Sequence, residues 1–502
     1  MNPKKKIAVI LAGAAASLAL ATTGTAQVTA DALLNKLVER GILKADEAAE
    51  LKDEGLTNNG EGTKFKVSNA IKSMELFGDL RFRYEYRAAQ LGPETTHAGD
   101  YDAANRWRYA LRIGLRGDLT DDFYYGLRLE TSANPRSTWN TFGNSSGGQS
   151  PNYGPFSKAN NYSVFIGLAY LGWRPTPWLD VSVGRVPQPL YTTPMMWDSD
   201  YTPEGAVEKL KWTVGQADLF ANLGQYVYQD TTPGSGSAIV GGVAGTSDNN
   251  AYMMSWQTGV NYHITKEVSA KIAPVLYNYV GHGNGGVGFY GPFVGQGEPN
   301  GFQYVTLGTS AANIPGPGVG GGSYNQTGIN NLFIFELPEE VNFKLGSLDA
   351  RVFGDFGLNL EGDQRARAAF NAAPAAFHSG LQLGQDKAYQ AGVAVGNNLG
   401  LTSSSAAKKG TWEARAYWQH VEQYALDANL LDSDFFEGRG NMEGLYTAFA
   451  YSISDAIIGT VRYGCAERID KNLGTGGYNG DLPLPNPVNK YQILQLDVTW
   501  KF

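Results

Sequence analysis

From residue 74 onwards the chain alternates apolar and polar side chains with a period of two. Leu80-Arg81-Phe82-Arg83-Tyr84-Glu85-Tyr86-Arg87 runs without a break. Arg106-Trp107-Arg108-Tyr109 continues the pattern through Leu111, Ile113 and Leu115, with Arg112 and Arg116 on the opposite face. Residues two apart share a face of a strand, so these runs predict strands with one apolar side. The first half of the chain gives eight of them: 74–88, 105–118, 122–132, 163–174, 178–186, 204–213, 216–228 and 250–263. The second half gives eight more: 267–280, 330–344, 347–360, 386–396, 410–424, 441–453, 456–468 and 489–502. A soluble sheet with one wet face would alternate in the same way.

The connections separate the two cases. Short turns (Leu119-Thr120-Asp121, Pro175-Thr176-Pro177, Ile264-Thr265-Lys266, Ser454-Asp455) alternate with long Gly/Ser/Asn-rich loops, the longest around 281–329. Only the 397–409 connection is longer than a short side should allow. Short turns at one end and long loops at the other predict an all-β fold, a transmembrane antiparallel up-and-down β-barrel. It has about sixteen strands, or eighteen if 281–329 or 361–385 contains a further hairpin.

Aromatic residues near the strand ends fit an outward wall. Phe165 and Trp173 share a parity eight residues apart, about 27 Å at 3.4 Å per residue, close to an apolar band of about 25 Å. Trp412 and Trp418 bracket Ala414 and Ala416 in the same way. The last strand alternates Leu494, Leu496, Val498, Trp500 and Phe502 against Gln495, Asp497, Thr499 and Lys501. That ending resembles the signal by which bacterial outer-membrane proteins are assembled. Trp500 and Phe502 are therefore the candidate assembly residues, with outer-membrane lipids and the barrel-assembly machinery as expected partners.

The N-terminus obeys other rules. Lys4, Lys5 and Lys6 precede an apolar run from Ile7 to Leu20, and Gly24-Thr25-Ala26 supplies small residues for cleavage, so 1–26 reads as a signal peptide. An N-terminal membrane anchor is the alternative, and the shortness of the apolar run argues against it. Thr29 to Gly55 has helical spacing, with Leu33, Leu34, Leu37 and Val38 ahead of Gly41 and an acidic Ala-rich stretch from Asp46 to Lys52. Two such short helices bury little alone, so they are expected to pair as a coiled coil or to dock on the barrel or on a periplasmic or cell-wall partner. A polar linker is the plainer reading. The domain plan is a signal peptide (1–26), a periplasmic helical segment and linker (27–73), and the barrel (74–502).

Composition narrows the class. Of 502 residues 63 are Gly and 12% are aromatic, while only 18% are charged, against usual values of about 7% Gly and about 25% charged. A mean hydropathy of −0.28, with no long apolar run beyond the N-terminus, excludes a bundle of membrane helices. An acidic balance, 40 basic against 48 acidic residues, argues against nucleic acid as a partner. The single Cys465 rules out an intrachain disulfide and a Cys-rich metal site. It shares parity with Val461 and Tyr463 and reads as a small lipid-facing residue.

Sixteen strands enclose an aqueous lumen. With the apolar parity outward, Arg81, Arg83, Arg87, Arg106, Arg108, Arg112, Arg116 and Arg128 face inward on three adjacent strands. They form a basic stripe that Glu85 and Glu130 either neutralise or leave selective. With strand 1 rising from the periplasm, both chain ends lie there, and the third long loop is 187–203, containing Trp197, Asp198, Asp200 and, just beyond, Glu204. Folded inward, as the third loop is in trimeric porins, it would oppose carboxylates to the arginines at a constriction. Otherwise it lies at the rim, or Asp198 and Asp200 bind calcium.

The resemblance becomes specific at Gly184-Arg185-Val186-Pro187-Gln188-Pro189, Trp197-Asp198-Ser199-Asp200 and Pro203-Glu204-Gly205. Phe353-Gly354-Asp355-Phe356, Gly410-Thr411-Trp412-Glu413 and Asp432-Ser433-Asp434-Phe435 agree, as does the helical opening around Gly41-Ile42-Leu43. Together they resemble the bacterial putative porin family. That resemblance implies a passive outer-membrane channel for small hydrophilic solutes and ions, a homotrimer, and no cofactor or metal. The arginine wall suggests weak anion preference, with a phosphate- or anion-selective channel and a structural outer-membrane anchor as alternatives.

Enzyme readings find no support in the motifs. His97, His263, His282, His378 and His420 lie in no Ser/His/Asp or metal-ligand pattern. Gly281-His282-Gly283-Asn284-Gly285-Gly286 matches GxGxxG in form but has no helix after it.

Overall fold

A computed structural model describes residues 68–91, 101–132, 137–142, 163–229, 251–281, 302–304, 324–326, 329, 331–372, 381–403, 407–475 and 488–502. The chain divides into Met1–Asn69 and Ala70–Phe502. The expected signal peptide and almost all of the helical segment and linker lie outside the described residues, as do His97, His282, His378 and most of the GxGxxG run.

Ala70–Phe502 is one closed antiparallel barrel. Its strands are β1 (Glu75–Leu91), β2 (Tyr101–Asp118), β3 (Phe123–Ser132), β4 (Ser163–Thr176), β5 (Leu179–Arg185), β6 (Glu204–Val214), β7 (Ala217–Gln229) and β8 (Ala251–His263). The ninth, β9, is interrupted (Ser269–Ile272 and Val275–Gly281), because Pro274 cannot donate to the ladder. Then come β10 (Phe333–Leu345), β11 (Leu348–Asn359), β12 (Lys387–Gly396), β13 (Trp412–Val421), β14 (Met442–Ser452), β15 (Ile457–Arg468) and β16 (Val488–Lys501). Each pairs with its neighbours in sequence, and β16 closes on β1 from Asp79↔Lys501 to Leu91↔Val488. Closure leaves no unpaired edge, which lipid would not tolerate.

Sixteen strands is the count. The eighteen-strand alternative gains no further barrel strand among the described residues: Phe302–Tyr304 and Tyr324–Gln326 pair only with each other, and the 361–385 segment supplies a helix, α1 (Gly362–Ala372). Turns of two to five residues join strands at one end except between β12 and β13. There the long connection tucks inward, burying Leu401 against Ala450 and Ile458.

The period-two pattern sets the faces. Phe82, Trp107 and Val461 are 44%, 61% and 45% exposed, whereas Arg83, Arg108 and Thr460 are buried. One expected outward residue is misplaced. The register slips opposite Gly167, so Phe165 pairs with Glu130 on the inner face while Val164 and Ile166 turn outward. A bulge shifts parity by one residue, which strict alternation cannot show. Cys465 pairs with Leu445 and Gln492 on the outer face.

The seam between the first and last strands is tight. Gly78 and Phe502 exchange backbone hydrogen bonds at 2.9 and 3.1 Å. A side chain at Gly78 would come within 2.7 Å of the Phe502 ring and 2.2 Å of the Arg112 carbonyl. Trp500 stands 5.1 Å from Phe502, and both are exposed on the outer wall.

The buried apolar cluster lies inside the barrel. Met195, Met196 and Trp197 from the connection between β5 and β6, with Leu426, Leu431, Phe435 and Phe436 from that between β13 and β14, pack on Val207, Tyr226, Met253, Val275, Tyr277 and Tyr417. Apolar residues concentrated in two long loops would otherwise face water. Both loops therefore fold into the lumen.

Candidate functional site

The inward loop 186–203 is fixed along its length. Tyr191 N donates to Gln257 Oε1 at 2.9 Å, and Thr192 Oγ1 donates to Glu336 Oε1 at 2.6 Å. Thr193 Oγ1 donates to Asp355 Oδ2. Trp197 is buried 5.8 Å from Tyr226, and its Nε1 donates to Tyr201 O at 3.1 Å. Trp197 is thus a root of the loop within the core.

The loop 422–441 meets it. Asp198 N donates to Leu430 O at 2.7 Å, and Ser433 N donates to Asp198 Oδ2 at 3.1 Å. Asp198 is buried in that junction, turned to the second loop rather than to the arginines. Burial, reinforced by the carboxylates of Asp200 and Asp434, pushes its carboxyl up to about 7. Burial beside Asp198 and Asp434 likewise raises Asp432 well above the usual carboxylate range.

Asp200 behaves otherwise. Its Oδ1 accepts from Arg112 Nη2. Burial acts to raise its pKa, but the Arg112 and Arg81 guanidiniums outweigh that and hold it at about 2. Asp200 and Arg112, each 16% exposed, span the gap between loop and wall.

The arginine stripe is a network of ion pairs. Arg83 grips Asp497 with two nitrogens at 2.7 and 2.9 Å and gives its third to Asp434 at 2.9 Å. Arg87 reaches Glu85 and Glu437, and Arg106 and Arg108 converge on the same buried Glu85. Arg81 pairs with Asp79 and Arg128 with Glu130, each at 2.9 Å. Arg116 pairs with Glu75 near the turn end, half exposed. Trp139 stacks against three of these cations, with its ring 4.7, 4.1 and 5.8 Å from Arg81, Arg83 and Arg108.

Three expected placements are corrected here. Arg83, Arg87 and Arg108 point inward but are only 3%, 2% and 1% exposed, because loop 422–441 and Trp139 cover them. Glu204 does not reach the constriction: it pairs across the sheet with Arg185 at 2.8 Å, on the outer face. The two aspartates are not a calcium site, since one is held by backbone N–H groups and the other by Arg112. Among the described residues no cluster of three or more Asp, Glu, His or Cys side chains is arranged to hold a metal ion.

Sequence reasoning missed loop 422–441 and Trp139. The signal was available in Leu430-Leu431 and Phe435-Phe436, two apolar pairs in a connection expected to face water. Here Phe436 and Glu437 adopt left-handed backbone, with φ of 60° and 58°, at a cost of about 1–3 kcal/mol each. The buried Phe436 ring and the pairing of Glu437 with Arg87 and Arg439 hold them there.

Residues 93–502 match the family described as "Putative porin". The chain belongs to that family, and it is an outer-membrane β-barrel of the porin class. No curated protein matches it. Similar solved structures include OpdQ of Pseudomonas aeruginosa, at 12% identity and TM-score 0.36, covering 87% of this chain and 99% of that one. An anion-selective porin of Comamonas acidovorans is 11% identical with TM-score 0.39, covering 86% and 99%. OmpT of Vibrio cholerae is 9% identical with TM-score 0.36, covering 88% and 100%.

Proposed function

We propose that this protein is a passive channel for small hydrophilic solutes and ions, narrowed where loop 186–203 meets the arginine wall. The observation that carries this reading is the Arg112–Asp200 ion pair, which joins the inward loop directly to the arginine wall and places fixed charge of both signs at that point of the lumen. Fixed charges at a constriction orient dipolar solutes and discriminate ions by sign. Weak anion preference is assigned to Arg81, Arg112 and Arg128, basic groups close to Asp200 or Glu130 that keep some exposure. Extensive pairing favours a general channel over a phosphate-specific one, because phosphate would have to displace carboxylates already hydrogen-bonded to guanidinium groups.

The channel is read as a homotrimer with both chain ends in the periplasm, exported by 1–26, and with 27–73 directed to a periplasmic or cell-wall partner. Its insertion is assigned to the barrel-assembly machinery acting on the last strand. Purified protein in a planar bilayer should open stable conductance steps with a reversal potential in a salt gradient on the anion side. A silent bilayer would favour an anchoring role.

A further inference from the structure

The turn end of the barrel departs from its plan at one place. Barrels of this kind join their strands there by short turns, yet β12 ends at Gly396 and β13 begins only at Trp412. Gly400 bends this connection back with a left-handed φ of 90°, a backbone that suits glycine, and Ser403 N donates to Gly400 O at 3.0 Å.

The bend carries its next residues onto the inner wall. Leu401, 3% exposed, packs on Ala450 and Ile458. Ala450 lies between the outward Phe449 and Tyr451, and Ile458 shares the inward parity of Thr460 and Arg462. Thr402 is held at both backbone groups. Its N donates to Glu413 Oε2 at 2.9 Å, and its O accepts from Arg462 Nη2 at 3.1 Å. Ser403 Oγ accepts from Arg415 Nη1 at 3.3 Å. Backbone groups removed from water need such partners, and here the lumen face supplies them.

The anchorage is shared with the other end of the barrel. Asp497 is buried and accepts from Arg462 Nη1 and, at 2.7 and 2.9 Å, from two nitrogens of Arg83. Arg83 in turn holds Asp434 of loop 422–441 at 2.9 Å. One carboxylate therefore stands between two segments that enter the lumen from opposite ends, and both are fixed to the same wall.

We propose that the passage is narrowed a second time, at the turn end, where Leu401 to Ser403 stand in the lumen beside Arg415 and Arg462. A solute then meets two narrowings in series, loop 186–203 against the arginine wall and this turn against the rest of the lumen. Glu413 and Asp497, the partners of Arg415 and Arg462, are buried, whereas each guanidinium keeps 17% exposure. The charge nearest the water at the second narrowing is thus positive, and small anions pass it most readily. This inference rests on the channel reading above.

Thiol modification tests it. Cys465 is the only cysteine in the chain. In a Cys465→Ser background, Ser403→Cys marks the second narrowing and Lys266→Cys marks the rim, in the turn between β8 and β9; both positions are exposed. Each protein is opened in a planar bilayer and treated with sulfonatoethyl methanethiosulfonate, which adds bulk and one negative charge to the thiol. Ser403→Cys is expected to lose current in every open step, with its reversal potential moved toward cations, and Lys266→Cys to do neither. Adding Leu401→Ala to Ser403→Cys removes the anchor, so the loss of current should shrink. Undiminished current in Ser403→Cys, with attachment confirmed by mass, overturns the proposal. So does a cysteine there that the reagent cannot reach, and so does an equal loss in Lys266→Cys. A silent bilayer before treatment would overturn the channel reading and this inference with it, whereas stable steps indifferent to modification would overturn the second narrowing alone.

Discussion

Asp198 Oδ2 accepts the backbone N–H of Ser433 at 3.1 Å, across 235 residues of sequence. With Asp198 N donating to Leu430 O at 2.7 Å, this contact ties two inward loops into one obstruction. Removing the carboxylate leaves the N–H groups of Ser433 and Asp200 without their acceptor in a buried place, worth about 1–3 kcal/mol. Asp198→Ala is therefore expected to loosen both loops and raise single-channel conductance, while Asp198→Asn, which keeps an acceptor oxygen, changes it less. Equal conductance in all three proteins would show that the junction does not limit the passage.

The same junction should respond to pH. Asp198 is raised to about 7 from an ordinary value near 3.8, and Asp432 beside it is raised as well. A carboxyl raised in the folded state binds more protons there than in the unfolded chain, so stability falls as pH rises. The contribution is fully present below about pH 4 and is lost as pH climbs through about 7. Loop packing should be tightest in acid, with larger conductance and more current fluctuation at pH 8 than at pH 5. In Asp198→Asn that difference should shrink. A pH response as large as in the unaltered protein would place the sensing group elsewhere.

The wall was readable in the sequence because lipid favours an apolar outer face, and the alternation shows in Leu80 to Arg87 without further context. The strand limits follow from the same rule. What did not show was whatever depends on contact between distant segments. The slip at Gly167 moved Phe165 inward, and no local pattern marks a bulge. Glu204 looked like a constriction residue by its nearness to Asp198 and Asp200, although the strand read from 204 shares its parity with the outward Trp212. Arg83 and Arg108 were legible as inward but not as buried, because Trp139 and loop 422–441 cover them from elsewhere.

Phe502 should matter for assembly through both its ring and its backbone. The backbone pair with Gly78 closes the barrel seam, and the ring occupies the space that Gly78 leaves open. Deleting Phe502 removes both, whereas Phe502→Ala keeps the backbone bonds. Folded barrel in the membrane fraction, scored by its mobility on unheated gels, should fall with Phe502→Ala and fall further with the deletion. Undiminished insertion of both at native expression would leave the terminal residue without an assembly role.

Selectivity and stability should separate within the arginine stripe. Arg81 and Arg112 keep 17% and 16% exposure, so they act on ions in the lumen, within the range of about 8–10 Å over which charge is felt at physiological salt. Replacing both with Gln should move the reversal potential toward cations, and Asp200→Asn should move it the other way. Arg83 is different, because it is buried and pairs with Asp497 and Asp434. Arg83→Gln leaves those carboxylates short of a partner, a loss of about 3–5 kcal/mol for a buried pair. Its effect should appear as a lower urea midpoint for unfolding from vesicles, with little change in reversal potential. If Arg83→Gln shifts selectivity as strongly as the Arg81 and Arg112 pair, water reaches Arg83 and loop 422–441 does not cover it in the open channel.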